Sequence, residues 1–170
     1  MILKWIGGIC IVVGCGSTGF LIAANQRREE RYLRMLVSLL DYMACELQYK
    51  LTPLPELCQK AADQANGCLN KLFLALSQEL EDQISPDASI CMNTALGKTA
   101  NIPDSTKQCL MTLGKSLGKF DAEGQLKGII SVKEECSAFL NALNNNKEQR
   151  LRSYQTLGIC AGAGLAILLI

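Results

Sequence analysis

An uncharged apolar run stands near each end of the chain, and these two runs constrain the fold more than anything between them. Trp5 to Ala24 reads WIGGICIVVGCGSTGFLIAA, twenty residues without a formal charge. As an α-helix that length rises about 30 Å, the thickness of a bilayer's hydrocarbon core. The run stops abruptly at Asn25-Gln26-Arg27-Arg28, whereas a buried helix of a soluble domain seldom runs so long or ends so sharply in charge. At the other end, Leu157 to Ile170 gives fourteen apolar residues, and Tyr154-Gln155-Thr156 lengthen the stretch to seventeen. That is the short limit for a span, with Tyr154 at headgroup level, where amphipathic rings are favoured. A hydrophobic tail docked on the domain is the competing reading of this second stretch. The expected organisation is an N-terminal transmembrane helix over residues 1–25, a cytoplasmic helical domain over 26–155 and a short C-terminal transmembrane helix over 156–170.

Charge orients such a chain. Arg27, Arg28, Arg31 and Arg34 follow the first run, and Lys147, Arg150 and Arg152 precede the second, against Lys4 and the terminal amine outside. Basic residues stay on the cytoplasmic side, so the domain is expected in the cytoplasm with both termini outside. The formal net charge of +1 conceals this asymmetry and gives no reason to expect a nucleic-acid partner. A cleaved lipoprotein leader is the alternative for the first run, since Val12-Val13-Gly14-Cys15 loosely matches a processing site. Against it, nine further uncharged residues follow Cys15, and arginines rather than a polar linker come next.

Chemistry is scarce between the runs. There is no histidine, which removes the commonest general base and the usual triads. Nine cysteines include no Cys-x-x-Cys pair, so a structural zinc site is not expected. The odd count and cytoplasmic placement point to free thiols serving as small apolar core residues. Gly97-Lys98-Thr99 and Gly114-Lys115-Ser116 imitate phosphate loops, but Met92 and Cys109 stand where the motif needs its first glycine. Both fragments read better as helix ends or small-residue packing sites. Glu79, Glu81 and Asp82, or Glu134 and Glu135, read as solvated helix faces. No catalytic, cofactor or metal residue is assigned, and no small-molecule substrate is expected.

The hydrophobic period of the middle region is helical throughout. Leu33, Leu36, Leu40, Met43 and Leu47 mark a first stripe, continuous with the N-terminal run. Thr52 is expected to cap a second helix with Pro53 in its first turn, ending at Asn66-Gly67. A third runs from Cys68 to about Ile84 on Leu69, Leu72, Phe73, Leu76 and Leu80, with Ser85-Pro86 reading as cap and first-turn proline for the next. A weaker fourth covers Asp87 to Leu96. Asp104 is expected to cap a fifth reaching Gly118, with Cys109, Leu110, Leu113 and Leu117 inward. Asp121 caps a sixth, whose stripe takes in Leu126, Ile129, Ile130, Cys136, Phe139, Leu140 and Leu143. Asn144-Asn145-Asn146 is expected to interrupt or kink it. The fold class expected is all-α, a six-helix antiparallel bundle flanked by two terminal transmembrane helices.

Two pieces of this pattern, Glu46-x-x-Tyr49-x-x-Thr52-Pro53-Leu54 and Leu117-Gly118-x-x-Asp121-x-x-x-Gln125, resemble the stage III sporulation protein AB family of endospore-forming bacteria. The resemblance is nearly end to end, and departs in the cysteine load and the Asn144–Asn146 run. It implies membership of a multi-subunit complex between mother cell and forespore, in the mother-cell membrane facing the forespore. It also implies a soluble domain like the cytoplasmic domain of type II secretion and type IV pilus platform proteins. Such platforms couple a cytoplasmic ATPase to membrane-embedded or pilin-like subunits, so the implied partners are an ATPase, other membrane subunits and membrane lipid.

Read from the residues alone, the same positions hold loops in place or contact a partner. Thr52-Pro53 makes a fixed helix start, with Glu46 and Tyr49 upstream facing that corner. Gly118 supplies a position tolerant of positive φ, Asp121 a cap, and Gln125 a side chain able to bond across to Glu46 or Tyr49. The basic flanks would meet lipid headgroups or acidic residues of a partner. Three functional classes stand at this point: a scaffold or platform subunit, a membrane-bound enzyme built around Glu46, Tyr49 and Gln125, and a processed lipoprotein.

Overall fold

The computed structural model describes the backbone of residues 2–82, 87–118 and 121–169, and the side chains of residues 24–82, 87–118 and 121–145. Among the described residues there are six helices and no strand: α1 (Ile2–Lys50), α2 (Leu54–Gln64), α3 (Cys68–Glu81), α4 (Ala88–Lys98), α5 (Asp104–Ser116) and α6 (Ala122–Leu169). At 49 and 48 residues, α1 and α6 are each about 70 Å long. No glycine or proline lies between Gly19 and Lys50, so α1 passes through the arginine junction unbroken. The Asn144–Asn146 run is likewise helical, contrary to the expected interruption. Asparagine costs at most about 0.7 kcal/mol against alanine in a helix, too little to end one that packs along α1. Among the described residues no helix is long and apolar enough to cross a membrane. The two expected spans lie outside the described side chains except for Ala24 and Asn25, as do Lys147, Arg150 and Arg152.

Each helix packs on its successor, and α6 returns to α1 and closes the circuit. A few side-chain contacts give the directions. Arg28 and Glu29 of α1 bond Asn101 and Ser105 at the start of α5, while Gly118, beyond the end of α5, lies beside Leu54, just past α1. α1 and α5 therefore run the same way, and α6, starting beside Gly118, runs back against both. α2 descends from Leu54 to Asn66-Gly67, which faces Arg27 and Arg31. The bundle thus has a proximal end, where α1 emerges from its apolar run, and a distal end holding the α1–α2 and α5–α6 corners.

The core follows the helical stripes. Leu33, Leu36, Leu40 and Met43 of α1, Leu69, Leu72, Phe73 and Leu76 of α3, and Leu110 and Leu113 of α5 have no exposed surface. Each such side chain contributes about 1.5–3 kcal/mol by leaving water. Ile130, counted in the α6 stripe, is 44 % exposed, and Val132 is buried in its place. α5 fits tightly between its neighbours: a Cβ on Gly114 would stand 2.7 Å from Met92 Cβ on α4, and one on Gly128 of α6 would stand 2.6 Å from Ser116 Cβ.

Several helix starts differ from expectation. The N-cap of α2 is Pro53 and makes no side-chain cap bond, because the Thr52 hydroxyl turns inward to Glu46. Asp104 is the first residue of α5 rather than its cap, which is Pro103. The cap of α4 is Asp87 rather than the expected Ser85, its Oδ1 accepting from Ser89 N–H at 2.9 Å. The expected Ser85-Pro86 start lies outside the described residues.

Candidate functional site

At the distal end the two sequence pieces meet. Glu46, one turn before the end of α1, is 7 % exposed. Its Oε1 accepts from Lys50 Nζ at 2.6 Å, and its Oε2 accepts from the Thr52 hydroxyl and from Lys60 Nζ, both at 3.4 Å. Lys60 also pairs with Glu56 at 2.9 Å. The Lys50 hydrogen bond and the two ammonium charges outweigh desolvation and hold the Glu46 carboxyl below its usual range. The arrangement ties the last turn of α1 to the first turns of α2, across a corner that α1 cannot round as a helix: Leu51 adopts φ 49° and leaves 69 % of its surface exposed. Tyr49 does not face the corner but stands out, 79 % exposed.

The second piece comes to the same place. Gly118 holds φ 76°, and a Cβ there would sit 3.4 Å from Ala88 Cβ and 3.8 Å from Leu54 Cδ2. Only glycine takes that backbone region without strain, and it brings the α5–α6 corner against the first residues of α2 and α4. Asp121 caps α6, its Oδ1 accepting from Gly124 N–H at 3.0 Å. Half-buried Gln125 lies in the first turn of α6, but Glu46 takes its bonds from Lys50, Thr52 and Lys60 rather than from Gln125. The distal cluster is an ion-pair corner in which both oxygens of Glu46 are engaged. Lys50, Leu51 and Lys60 are the members that sequence reasoning missed; Lys60 lies fourteen positions from Glu46, so no local spacing connects them.

The arginines lie at the proximal end. Arg28 Nη2 donates to Asn101 O at 2.5 Å, and its guanidinium carbon lies 5.7 Å from the centre of the Tyr32 ring. Arg34 faces elsewhere and pairs with Glu30 at 2.9 Å. Arg27, Arg28 and Arg31 border a cleft of about 590 Å³ whose far side is Asn66-Gly67.

Gly97-Lys98-Thr99 and Gly114-Lys115-Ser116 both fall at helix C-termini. The Thr99 hydroxyl donates to Ala95 O at 3.0 Å and the Ser116 hydroxyl to Leu113 O at 2.9 Å. A helix C-terminus presents carbonyls and the negative end of the dipole, the wrong polarity for phosphate. Glu79 is not a freely solvated carboxylate, since it pairs with Lys98 and ties α3 to α4. Cys58, Cys91, Cys109 and Cys136 are buried, whereas Cys45 is exposed and Cys68 half-buried, so two of the six described thiols are not core residues. Burial pushes the Cys58 thiol up to about 12. Cys136 is raised by its hydrogen bond with Cys109 and then by burial. Thiols held neutral in this way are poor nucleophiles. Among the described residues no three His, Cys, Asp or Glu side chains converge on a metal-sized site.

Comparison with known proteins bears on the whole chain. The family model described as Stage III sporulation protein AB matches residues 4–170. The Stage III sporulation protein AB of Bacillus subtilis (strain 168) is 29 % identical over 171 residues, covering 99 % of each chain. A solved structure of Stage III sporulation protein AB (SpoIIIAB) superposes with a TM-score of 0.62 at 25 % identity, covering 72 % of this chain and 98 % of the other.

Proposed function

The chain belongs to the stage III sporulation protein AB family, and from that premise we propose that it is a non-enzymatic platform subunit of a sporulation complex between mother cell and forespore. In this reading the terminal apolar segments span the mother-cell membrane, the bundle faces the cytoplasm, and it docks a cytoplasmic ATPase to the membrane subunits. One observation carries the proposal: α1 and α6 run without a break from the apolar ends into the bundle and pack against each other there. A force applied to the bundle therefore reaches both terminal segments through continuous helix rather than through a flexible linker, as coupling a motor to membrane parts requires. The distal end, farthest from the apolar runs, offers Tyr49 and Leu51 as exposed apolar side chains on a corner braced by Glu46. The strained φ of Leu51 costs about 1–2 kcal/mol, a strain that a binding role for its side chain would explain. We place the ATPase contact there.

The test is affinity purification of the full chain in detergent from sporulating cells, with ATPase activity measured in the eluate. The wild-type chain should bring down activity, and Tyr49→Ala with Leu51→Ser should lose it while circular dichroism stays unchanged. Nucleotide turnover by the purified chain alone would refute the platform reading. Orientation is checked by single-cysteine variants at positions 28 and 148 in intact cells, where ready reaction with an impermeant maleimide would reverse the topology. Mass spectrometry of the mature N-terminus tests the lipoprotein alternative at Cys15.

A further inference from the structure

Positions 24, 27, 28, 31, 32 and 35 of α1 recur at helical spacing and form one face, and that face is one wall of the proximal cleft. Three of the six are arginines, while Ala24, Tyr32 and Met35 make the rest of the wall apolar. Arg28 is already held, by Asn101 O and by the Tyr32 ring, so little side-chain freedom remains to be lost on binding. Arg27 and Arg31 have no ion pair among the described residues, although Arg34, one turn further on, has one. Three guanidinium groups around one cleft repel each other unless an anion sits among them, and a phosphate, accepting several N–H donors at once, suits them best. Ala24 is the last residue of the first apolar run, so the cleft opens where α1 would leave the bilayer.

We propose that this cleft binds the headgroup phosphate of an anionic phospholipid, with Arg28 as the fixed donor and Arg27 and Arg31 closing on the phosphate. Tyr32, Met35 and Ala24 then lie against the glycerol and upper acyl carbons. The proposal rests on the reading that the first apolar run spans the membrane. It adds to that reading a discrete site, as distinct from a diffuse attraction that salt would screen beyond about 8 Å.

The full chain is first floated with phosphatidylcholine–phosphatidylglycerol vesicles, then reconstituted in nanodiscs of the same lipids. Retained lipid is counted by native mass spectrometry after mild delipidation. Phosphatidylglycerol should be retained over phosphatidylcholine by about twenty-five-fold at physiological salt, roughly fivefold being expected for each of Arg27 and Arg31. The Arg27→Gln/Arg31→Gln variant should fall to near parity, whereas Lys107→Gln/Lys115→Gln, two exposed lysines on α5, should leave the preference intact. A chain that does not float refutes the membrane-spanning reading, and this site with it. A chain that floats without lipid preference refutes the site alone. Equal loss in the arginine and lysine variants would mean diffuse electrostatics. Displacement of the lipid by millimolar inorganic phosphate would mean a site for a soluble anion. An arginine variant that keeps its lipid preference but no longer captures ATPase would give the cluster to a protein partner. Each of these last three outcomes overturns the proposal.

Discussion

Gly97 and Gly114 open two fragments of the same type, one near the end of α4 and the other near the end of α5, and the same substitution should move stability in opposite directions. Alanine is favoured over glycine by about 1 kcal/mol inside a helix. At Gly97 a Cβ would meet nothing within 4 Å, so Gly97→Ala should gain about 0.5–1 kcal/mol, the lower figure reflecting its place in the last turn. At Gly114 the new Cβ would lie 2.7 Å from Met92 Cβ, 3.0 Å from Met92 Cγ and 3.4 Å from Ser89 Cα. Carbon atoms settle at about 3.5–4.0 Å, and a Cβ position is set by the backbone, so no rotamer change relieves the first contact. α4 and α5 must move apart by about 1 Å, at a core site where overpacking costs about 1–3 kcal/mol. After the helix-propensity gain, Gly114→Ala should be destabilised by up to about 2 kcal/mol. For a chain of this length a change of 1 kcal/mol moves Tm by about 2–4 °C. Calorimetry of the full chain in detergent should therefore show Gly97→Ala melting slightly higher and Gly114→Ala several degrees lower. A Gly114→Ala protein that melts above wild type would refute the close approach of α4 and α5.

The acid limb of stability should carry a contribution from Glu46. Its carboxyl is depressed in the folded protein, so the contribution is full above the ordinary glutamate value of about 4.3 and is lost as pH falls through the depressed value. The stability gap between wild type and Glu46→Gln in urea titrations should narrow below that pH. Leu113→Ala, at a site with no exposed surface, should lose about 2–5 kcal/mol in the same assay. Thr106 is fully buried, and its hydroxyl has no partner among the described residues, so Thr106→Val should be neutral or gain about 1 kcal/mol. Exposed Cys45 should react readily with a maleimide at mildly alkaline pH, while Cys58, raised to about 12 by burial, should react only after unfolding; peptide mapping of the label distinguishes them.

The helices were legible because their causes are local. A stripe such as Leu33, Leu36, Leu40 and Met43 declares its period within four turns, and Asp121 marks a helix start with a side chain that reaches only three residues ahead. The arginines of the α1 junction and the Gly118 turn declare themselves in the same way. What the sequence left open was every choice made by a neighbour distant along the chain. Thr52 has the residue type of an N-cap and the right position for one, yet its hydroxyl goes to Glu46, because the corner also brings in Lys60 and the whole group shares one carboxylate. Asn144–Asn146 looks like a break, but a weak helix former stays helical when packing supplies the difference. Gly97 and Gly114 are alike as residues in like fragments; only the arrival of Met92 against one of them makes it a packing site. Arg27, Arg28 and Arg31 were plain as charge, but the cleft they border exists only because the α2–α3 turn at Asn66-Gly67 comes to lie opposite. Period, capping residues and charge order are written along the chain, whereas which face meets which, and at what distance, is set by side-chain volumes that come together only when all six helices close on one core.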